Sequence, residues 1–351
     1  MNGVQKKISV IIPCYNVSAY IDRCMTSIIT QTIGIDEIEV ICVDDASEDD
    51  TWTHLLKWEE CFSQSVILIR QEVNHRQGAA RNVGLSYASA EWIAFVDADD
   101  WLEPDYLEQL YKPAIDCEVD MVCCEVARDT SNTLTFFDEV TRAGEKKEGY
   151  ISVDTGEDRF SLFKAHILDG GVLGRLLRKS FLMEYDIYFL EDLFYEDLYW
   201  GTLVRFYIRR VYIVSNRLYH YFYNTSSTTL CQNLDPYIDH ITVQMRRWTD
   251  YKKRGLLTVY RDAMEFETLS AAICFLAEHM CTYNTPSYSL FKMESEVIRQ
   301  QIPDHERQKY IRDFSPVEWM LLDLLYQPID KSGFLQAVDQ VKKLYMDAAG
   351  K

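Results

Sequence analysis

An acidic run that follows a short apolar one is the segment most suggestive of chemistry. Residues 92–96 are typical of a buried strand, and Asp97, Asp99 and Asp100 follow directly. Carboxylates packed this closely repel one another unless a cation lies between them. A divalent cation with oxygen ligands suits such a place, and ligands bind at the carboxyl ends of strands in α/β sheets. The run therefore indicates a metal-assisted site for a phosphorylated substrate. The alternative is that it only caps a helix beginning near Pro104.

Polar residues also follow the first two strands that the sequence predicts. The first strand ends in Pro13-Cys14-Tyr15-Asn16, where proline stops strand pairing. The second ends in Asp44-Asp45. An aspartate at this place can accept a hydrogen bond from a nucleobase N–H or a ribose hydroxyl. Ser47 leaves open that this loop only caps the next helix.

Two further features are a basic residue in the first turn of a small-residue helix and a downstream pair of acids. Arg81 lies in the small-residue segment Gly78-Ala-Ala-Arg-Asn-Val-Gly84. It could bind a diphosphate or pair with a neighbouring aspartate. Glu196-Asp197 precede aromatic residues that suit a sugar face, and a carboxylate there could remove a hydroxyl proton. The alternative is that the two acids only complement a helix dipole.

The elements that must position these residues alternate between strand and helix over the first 125 residues. Continuous apolar strands separated by helices predict a mainly parallel sheet covered on both faces. The loops after its strands would then meet at one edge. A G-x-G-x-x-G after the first strand and a Walker A sequence are both absent, so metal and arginine would handle phosphate charge. The predicted strands are 8–13, 38–43, 66–70, 92–96 and 120–126, and the helices are 18–31, 49–62, 78–88 and 105–115.

The rest of the chain is less uniform. Residues 127–150 are polar and predict a surface excursion, and residues 151–230 mix short helices with strands at 211–214 and 218–223. From about residue 233 helical periodicity dominates. We therefore expect two domains, 1–232 and 233–351. The predicted C-terminal helices are 237–251, 256–280, 287–301, 317–325 and 334–346.

Composition excludes several classes of protein. The 351 residues carry a formal charge of −19, which disfavours nucleic-acid binding. Ten cysteines occur without a CxxC pair, as expected for reduced thiols in the cytoplasm. The first residues lack the apolar length of a signal peptide, and no apolar run approaches about 18 residues, so we expect neither a secretory signal nor a membrane-spanning helix. We expect a cytoplasmic protein that could lie against the inner face of the plasma membrane.

In order and spacing, these motifs resemble those of the family 2 nucleotide-sugar glycosyltransferases. The resemblance is carried by 8-ISVIIPCYN-16, 43-VDDAS-47, 79-AARNVG-84 and 95-FVDADDWL-102. It is strong over residues 6–125, moderate to about 230 and absent beyond 233. It implies an α/β, Rossmann-like A-type fold with a mainly parallel sheet, followed by an α-helical C-terminal domain.

The resemblance also implies residue roles and a cofactor. Asp99, with Asp97, would hold Mn²⁺ or Mg²⁺ at the two phosphates. Asp197 would be the general base, with Glu196 as second choice. Ser227, in a hydroxyl-rich loop, matches only loosely. The residues implied in donor binding are Pro13, Tyr15, Asn16, Asp44, Asp45, Arg81, Asp97 and Ser227.

The implied reaction is inverting transfer from a nucleotide-diphosphate sugar, commonly a UDP-sugar. The acceptor would be a glycan, lipid-linked or polyol hydroxyl in surface polysaccharide, teichoic acid or glycoconjugate synthesis. Two alternatives remain at this point: a non-catalytic scaffold on a transferase fold, and a nucleotidyltransferase, whose glycine- and lysine-rich first loop is lacking. The helical domain could bind the acceptor, form a homo-oligomer or touch the membrane.

Overall fold

The protein forms an α/β unit followed by a helical unit. A computed structural model describes residues 6–164, 171–223, 235–282 and 286–349. The two compact units are Met1–Thr225 and Ser226–Lys351. This arrangement of a mixed α/β sheet with a helical C-terminal region confirms the predicted fold class.

Four parallel strands form the half of the sheet that carries the predicted loops. The strands β1 and β2 are buried along their whole length, as expected for isoleucine- and valine-rich segments covered on both faces. The order is β3-β2-β1-β4, with every pair parallel. The carboxyl ends of these strands therefore share one edge. Their bounds are β1 Ile8–Cys14, β2 Ile38–Asp44, β3 Val66–Arg70 and β4 Trp92–Phe95.

The other half of the sheet departs from a simple parallel pattern. A short strand, β8, lies antiparallel between β4 and β6. The segment predicted as two strands is one long strand, β9, which pairs in parallel with β6 and has irregular register around Glu125. Two short strands, β5 and β7, pair antiparallel with β9. The bounds are β5 Trp101–Leu102, β6 Met121–Asp129, β7 Gly149–Ser152, β8 Arg175–Arg178 and β9 Arg210–Phe222.

Helices of the first unit connect these strands and begin close to the predicted positions. The helix α3 packs on β1 and carries Arg81. The helix α8 begins at the downstream acids. The bounds are α1 Ile21–Ile29, α2 Thr51–Cys61, α3 Arg76–Tyr87, α4 Tyr106–Asp116, α5 Glu139–Arg142, α6 Gly156–Lys164, α7 Lys179–Glu184 and α8 Glu196–Tyr207, with a 3₁₀ turn at Ile35–Glu37.

The helical unit has a core of large apolar and aromatic side chains, among them Tyr237, Leu276 and Phe334. The predicted helix 256–280 is two helices, α10 and α11. Within the described residues no helix is both long and apolar enough to cross a membrane. The bounds are α9 Asp235–Lys253, α10 Leu256–Val259, α11 Arg261–Thr282, α12 Tyr288–Gln301, α13 Pro316–Tyr326 and α14 Lys331–Ala349, with 3₁₀ turns at His305–Arg307 and Lys309–Asp313.

The close packing of α3 on β1 depends on a glycine. A Cβ added at Gly84 would lie 2.4 Å from Cγ2 of Ile11, a fully buried residue of β1. We expect Gly84→Ala to lower the free energy of unfolding by about 1–3 kcal/mol, because the overpacked core must shift. Urea unfolding measures this effect. Ser86→Ala, exposed on the same helix, is the control and should change stability by at most about 0.5 kcal/mol. Equal stability of the two variants would contradict the packing argument.

Candidate active site

The loops after β1 and β2 are joined by Asn16, whose φ of 53° lies in the left-handed region. Its backbone N–H donates to Ser47 Oγ at 3.0 Å, and its Oδ1 accepts from the Glu48 amide at 2.8 Å. Ser47 therefore serves this link. The residue preceding α2 is instead Asp50, so the alternative that this loop only caps the helix through Ser47 is wrong. Pro13 pairs with Val43 in register, and Tyr15 beyond it is exposed.

Asp44 and Asp45 are both buried at the end of β2, but their partners differ. Arg70 Nε lies 3.1 Å from Asp44 Oδ2 and so neutralises that carboxylate. Asp45 Oδ1 accepts from Gln71 Nε2 at 2.5 Å and from the His75 amide at 2.8 Å. Asp45 Oδ2 has no hydrogen-bond partner within the described residues. Asp45 is therefore the better placed of the two to accept a hydrogen bond from a ligand.

Arg81 joins two of the predicted acidic groups. Its Nη2 lies 2.7 Å from Asp97 Oδ1, and its Nη1 lies 2.5 Å from Glu196 Oε1. Burial alone lowers the pKa of the guanidinium, but the charges of Asp97 and Glu196 outweigh burial and raise it above its ordinary value. The side chain is 3% exposed. Arg81 thus holds the end of β4 against the start of α8.

The three aspartates after β4 lie in different surroundings. Asp100 is fully buried and accepts from Tyr219 Oη at 2.6 Å and from the Phe222 amide at 2.8 Å. Asp97 is bound to Arg81. The helix α4 begins only at Tyr106, after Asp105, so the alternative that Asp99 or Asp100 caps it is wrong. We call residues 97–100 the acidic loop.

Asp99 is the member of the acidic loop that fits a metal. The structure gives its carboxylate no ion pair with another described residue, and burial and the charge of Asp97 raise its pKa to about 6. A divalent cation would relieve both effects. No three His, Cys, Asp or Glu side chains in the described ranges form a complete metal cage. Such an ion would therefore share its ligands between carboxylates, water and substrate phosphate, as Mg²⁺ sites commonly do.

Arg23 of α1 belongs to this site although the sequence analysis missed it. Its guanidinium carbon lies 4.2 Å from the ring centroid of Trp101 and 4.7 Å from that of Phe222. It also donates to the backbone carbonyl of Asp99 and, at 2.9 Å, to Asn132 Oδ1. Arg23 therefore supports the backbone of the acidic loop. Its position on an amphipathic helix gives no sequence signal for this role.

Glu196 and Asp197 are the first two residues of α8, which follows Tyr195 in the left-handed region at φ 62°. Burial raises the pKa of Glu196 to about 7, and the charge of Arg81 moderates the rise. Burial also raises the pKa of Asp197, whose Oδ1 accepts from the amide of its neighbour Leu198 at 3.0 Å. Glu196 forms an ion pair with Arg81. Asp197 is less buried, and among the described residues its carboxylate accepts a hydrogen bond only from the Leu198 amide.

The structure thus brings most of the predicted site residues to one edge of the sheet. Arg81 links Asp97 to Glu196 directly, and Asn16 links the loops after β1 and β2. The loop containing Ser227 lies outside the described residues. The acids of α8 also sit where a helix dipole favours them, so this alternative and a chemical role are compatible.

Comparison with known proteins gives consistent matches. A family model described as glycosyl transferase family 2 matches residues 9–185, which include the acidic loop and Arg81 but end before α8. The putative glycosyltransferase EpsH of Bacillus subtilis (strain 168) is 31% identical over 283 residues, 77% of this chain and 77% of EpsH.

Three solved structures of two proteins have a similar fold. S. aureus TarS 1-349 aligns with a TM-score of 0.68 at 18% identity, over 97% of this chain and 92% of that one. Its complex with UDP-GlcNAc gives a TM-score of 0.66 at 18% identity, with the same coverage. The mannosyltransferase PcManGT of Pyrobaculum calidifontis, in complex with GDP-Man and Mn²⁺, gives 0.51 at 17% identity over 92% of this chain and 86% of that one. At these identities the likeness concerns the fold.

Proposed function

The chain belongs to glycosyl transferase family 2, and from that premise we propose an inverting, metal-dependent transfer of a sugar from a UDP-sugar to an acceptor hydroxyl. The observation that carries the proposal is the Arg81 bridge, which holds Asp97 and Glu196 within 2.7 Å of one guanidinium. It supports the proposal because it holds the acidic loop beside the start of α8, where the proposed base Asp197 follows Glu196. UDP is the proposed nucleotide because TarS, which has a similar fold, binds UDP-GlcNAc.

Donor binding would use the edge formed by β1, β2 and β4. The free oxygen of Asp45 would accept the N–H of the base, while Asn16 and Tyr15 border the nucleoside. Asp99, with Asp97, would hold Mn²⁺ or Mg²⁺, which offsets the negative charge that develops on the leaving diphosphate. PcManGT binds GDP-Man together with Mn²⁺, which supports a metal at such a site.

Transfer would proceed by a single displacement. The acceptor oxygen forms a bond to the anomeric carbon while the bond from that carbon to the diphosphate oxygen breaks. Asp197 accepts the hydroxyl proton, and UDP leaves with the bonding electrons. Glu196 would remain paired with Arg81 and would keep Asp197 oriented at the start of α8. The proposed acceptor is a hydroxyl of a surface glycan, lipid-linked sugar or polyol polymer.

A panel of nucleotide sugars tests the proposal. We expect one UDP-sugar to release UDP in the presence of Mn²⁺, faster when a hydroxyl acceptor is added and with inverted configuration at the product's anomeric carbon. Consumption of a nucleoside triphosphate with a sugar 1-phosphate would support a nucleotidyltransferase instead. Undiminished turnover in excess chelator would contradict the metal assignment.

Asp99→Asn should separate function from stability. We expect transfer to fall by about 100-fold or more, because several kcal/mol of charge stabilisation is lost. The ligand-free variant should nevertheless melt at a higher temperature than the wild type at pH 8. Since burial raises the pKa of Asp99 to about 6, its ionised form disfavours folding above that pH.

The pH dependence supplies the control for this variant. Below about pH 4 the carboxyl is protonated in both folded and unfolded chains, so the advantage of Asn should shrink between pH 8 and pH 5. Thermal unfolding at the two pH values measures it. If Asp99→Asn is less stable than the wild type at pH 8, the ionised carboxylate of Asp99 does not destabilise the ligand-free protein.

A further inference from the structure

Asn82, next to Arg81 on α3, holds a distant segment of backbone by two hydrogen bonds. Its Oδ1 accepts from the Phe189 amide at 2.9 Å, and its Nδ2 donates to the Phe189 carbonyl at 3.0 Å. The Nδ2 also lies 2.9 Å from Glu191 Oε1. One side-chain amide thus satisfies both backbone groups of Phe189, a residue 107 positions away and seven positions before the acid pair begins.

The ring of Phe189 connects this contact to the catalytic elements. It stacks on Trp200 of α8, with centroids 5.0 Å apart and an interplanar angle of 4°. It also meets Phe95, the last residue of β4, edge to face at 5.3 Å. The strand before the acidic loop and the helix that starts with the acid pair therefore pack on one ring, whose backbone Asn82 holds.

A glycine one turn before Asn82 permits this close approach. A Cβ added at Gly78 would lie 2.1 Å from the Leu190 carbonyl oxygen and 3.1 Å from Glu196 Cγ. Gly78 and Asn82 are four residues apart and so lie on the same face of α3. Segment 189–191 packs against this face of α3. We call Gly78 and Asn82 together the α3 clamp.

We propose that Asn82 is a positioning residue for the transfer reaction: the α3 clamp fixes the start of α8 relative to the acidic loop, so that Asp197 meets the hydroxyl of the acceptor beside a donor held at Asp99. This inference rests on the proposed function. Asn82 contacts neither Asp99 nor Asp45 in the structure, so its loss should not weaken donor binding. It should slow the chemical step, because a misplacement of about 1 Å can reduce a rate by about 100-fold.

Asn82→Ala tests the proposal in the full-length protein, with Asn216→Ala as a matched control. Asn216 is also a half-buried asparagine of the first unit, and its amide donates to Gln109 Oε1 at 3.1 Å. For Asn82→Ala we expect kcat to fall by about 10–100-fold with donor Kd within about twofold of wild type. The control should keep kcat within about twofold. Gly78→Ala, which displaces the same segment without touching Asn82, should reproduce the loss.

Two readouts separate positioning from a merely structural role. Hydrogen exchange should accelerate in residues 189–197 of Asn82→Ala and remain unchanged in Asn216→Ala. The acid limb of the kcat profile should also move to lower pH, because a loosened segment admits water to Glu196 and Asp197 and relieves the burial that raises their pKa values. The substitution leaves the other charged groups named at this contact, Arg81, Asp97 and Glu191, unchanged.

The possible failures are distinguishable. If the wild type is active and Asn82→Ala has the same kcat as Asn216→Ala, the positioning role of Asn82 is wrong and the proposed function stands. The same conclusion follows if Asn82→Ala loses kcat while its pH profile and the hydrogen exchange of residues 189–197 are unchanged. An equal loss of donor affinity would place Asn82 in donor binding. A wild type that turns over no nucleotide sugar would overturn the proposed function, and this inference with it.

Discussion

Replacing Asp197 with asparagine should reduce kcat by about 10²–10⁴-fold, the range that a positioned general base contributes. Asparagine keeps the size of the side chain and can still accept from the Leu198 amide, but it cannot take a hydroxyl proton. Donor affinity should remain within about twofold, because Asp45 and Asp99 are unchanged. Calorimetric titration of donor and steady-state transfer rates measure the two quantities.

Glu196→Gln is the control for this assignment. Glutamine can still accept a hydrogen bond from Arg81 Nη1. The substitution therefore loses only the difference between a charged and a neutral hydrogen bond, about 1.4 kcal/mol, which corresponds to at most about a tenfold decrease in kcat. Asp197→Asn should therefore be much the more severe variant. The reverse order would make Glu196 the base, and lost donor affinity in Asp197→Asn would move Asp197 into the donor site.

Arg81→Met should lower the free energy of unfolding by about 3–5 kcal/mol at pH 7.5 and abolish transfer. It removes the cation between Asp97 and Glu196 and leaves buried negative charge without a partner. The deficit should be smaller near pH 5. Without Arg81 the pKa of Glu196 in the folded protein would rise above about 7. A carboxyl whose pKa is raised by folding makes the folded protein less stable as the pH increases through that value, because its ionised form is disfavoured there. Urea unfolding at the two pH values measures the effect.

Arg210→Met is a matched control, since Arg210 is 40% exposed and lies 3.7 Å from Glu118 and 3.8 Å from Asp120. Ion pairs at such exposure contribute at most about 1 kcal/mol. Similar losses in the two variants would contradict the view that Arg81 neutralises a buried cluster. Arg81→Lys should fall between them, because a lysine retains the charge but lacks the planar fork that reaches two carboxylates.

The parallel half of the sheet could be predicted from the sequence because its strands are continuous apolar runs. Residues 66–70 were predicted with the observed bounds. The strand β8 was missed because its four residues begin and end with arginine and show neither alternation nor a long apolar run. Strand β9 was read as two strands because Ser215, Asn216 and Arg217 interrupt its apolar pattern. Pairing with β6 carries the strand through that polar stretch.

Within the site, convergence of the loops could be anticipated, since the carboxyl ends of parallel strands share an edge. The partners of individual side chains could not. Arg81 and Glu196 are 115 residues apart, and nothing local to either indicates the other. The same holds for Asn82 and Phe189. The difference between Asp44, paired with Arg70, and Asp45, with a free oxygen, also emerges only from packing.

We propose that the acidic loop binds a divalent ion together with a nucleoside diphosphate. The most direct test of this proposal is the anomalous diffraction of crystals soaked with Mn²⁺ and UDP. We expect one manganese peak at about 2.1 Å from a carboxylate oxygen of Asp99, with the diphosphate bound to the ion and the uracil beside Asp45. Nucleotide bound away from β1, β2 and β4, or manganese without contact to Asp99, would contradict it.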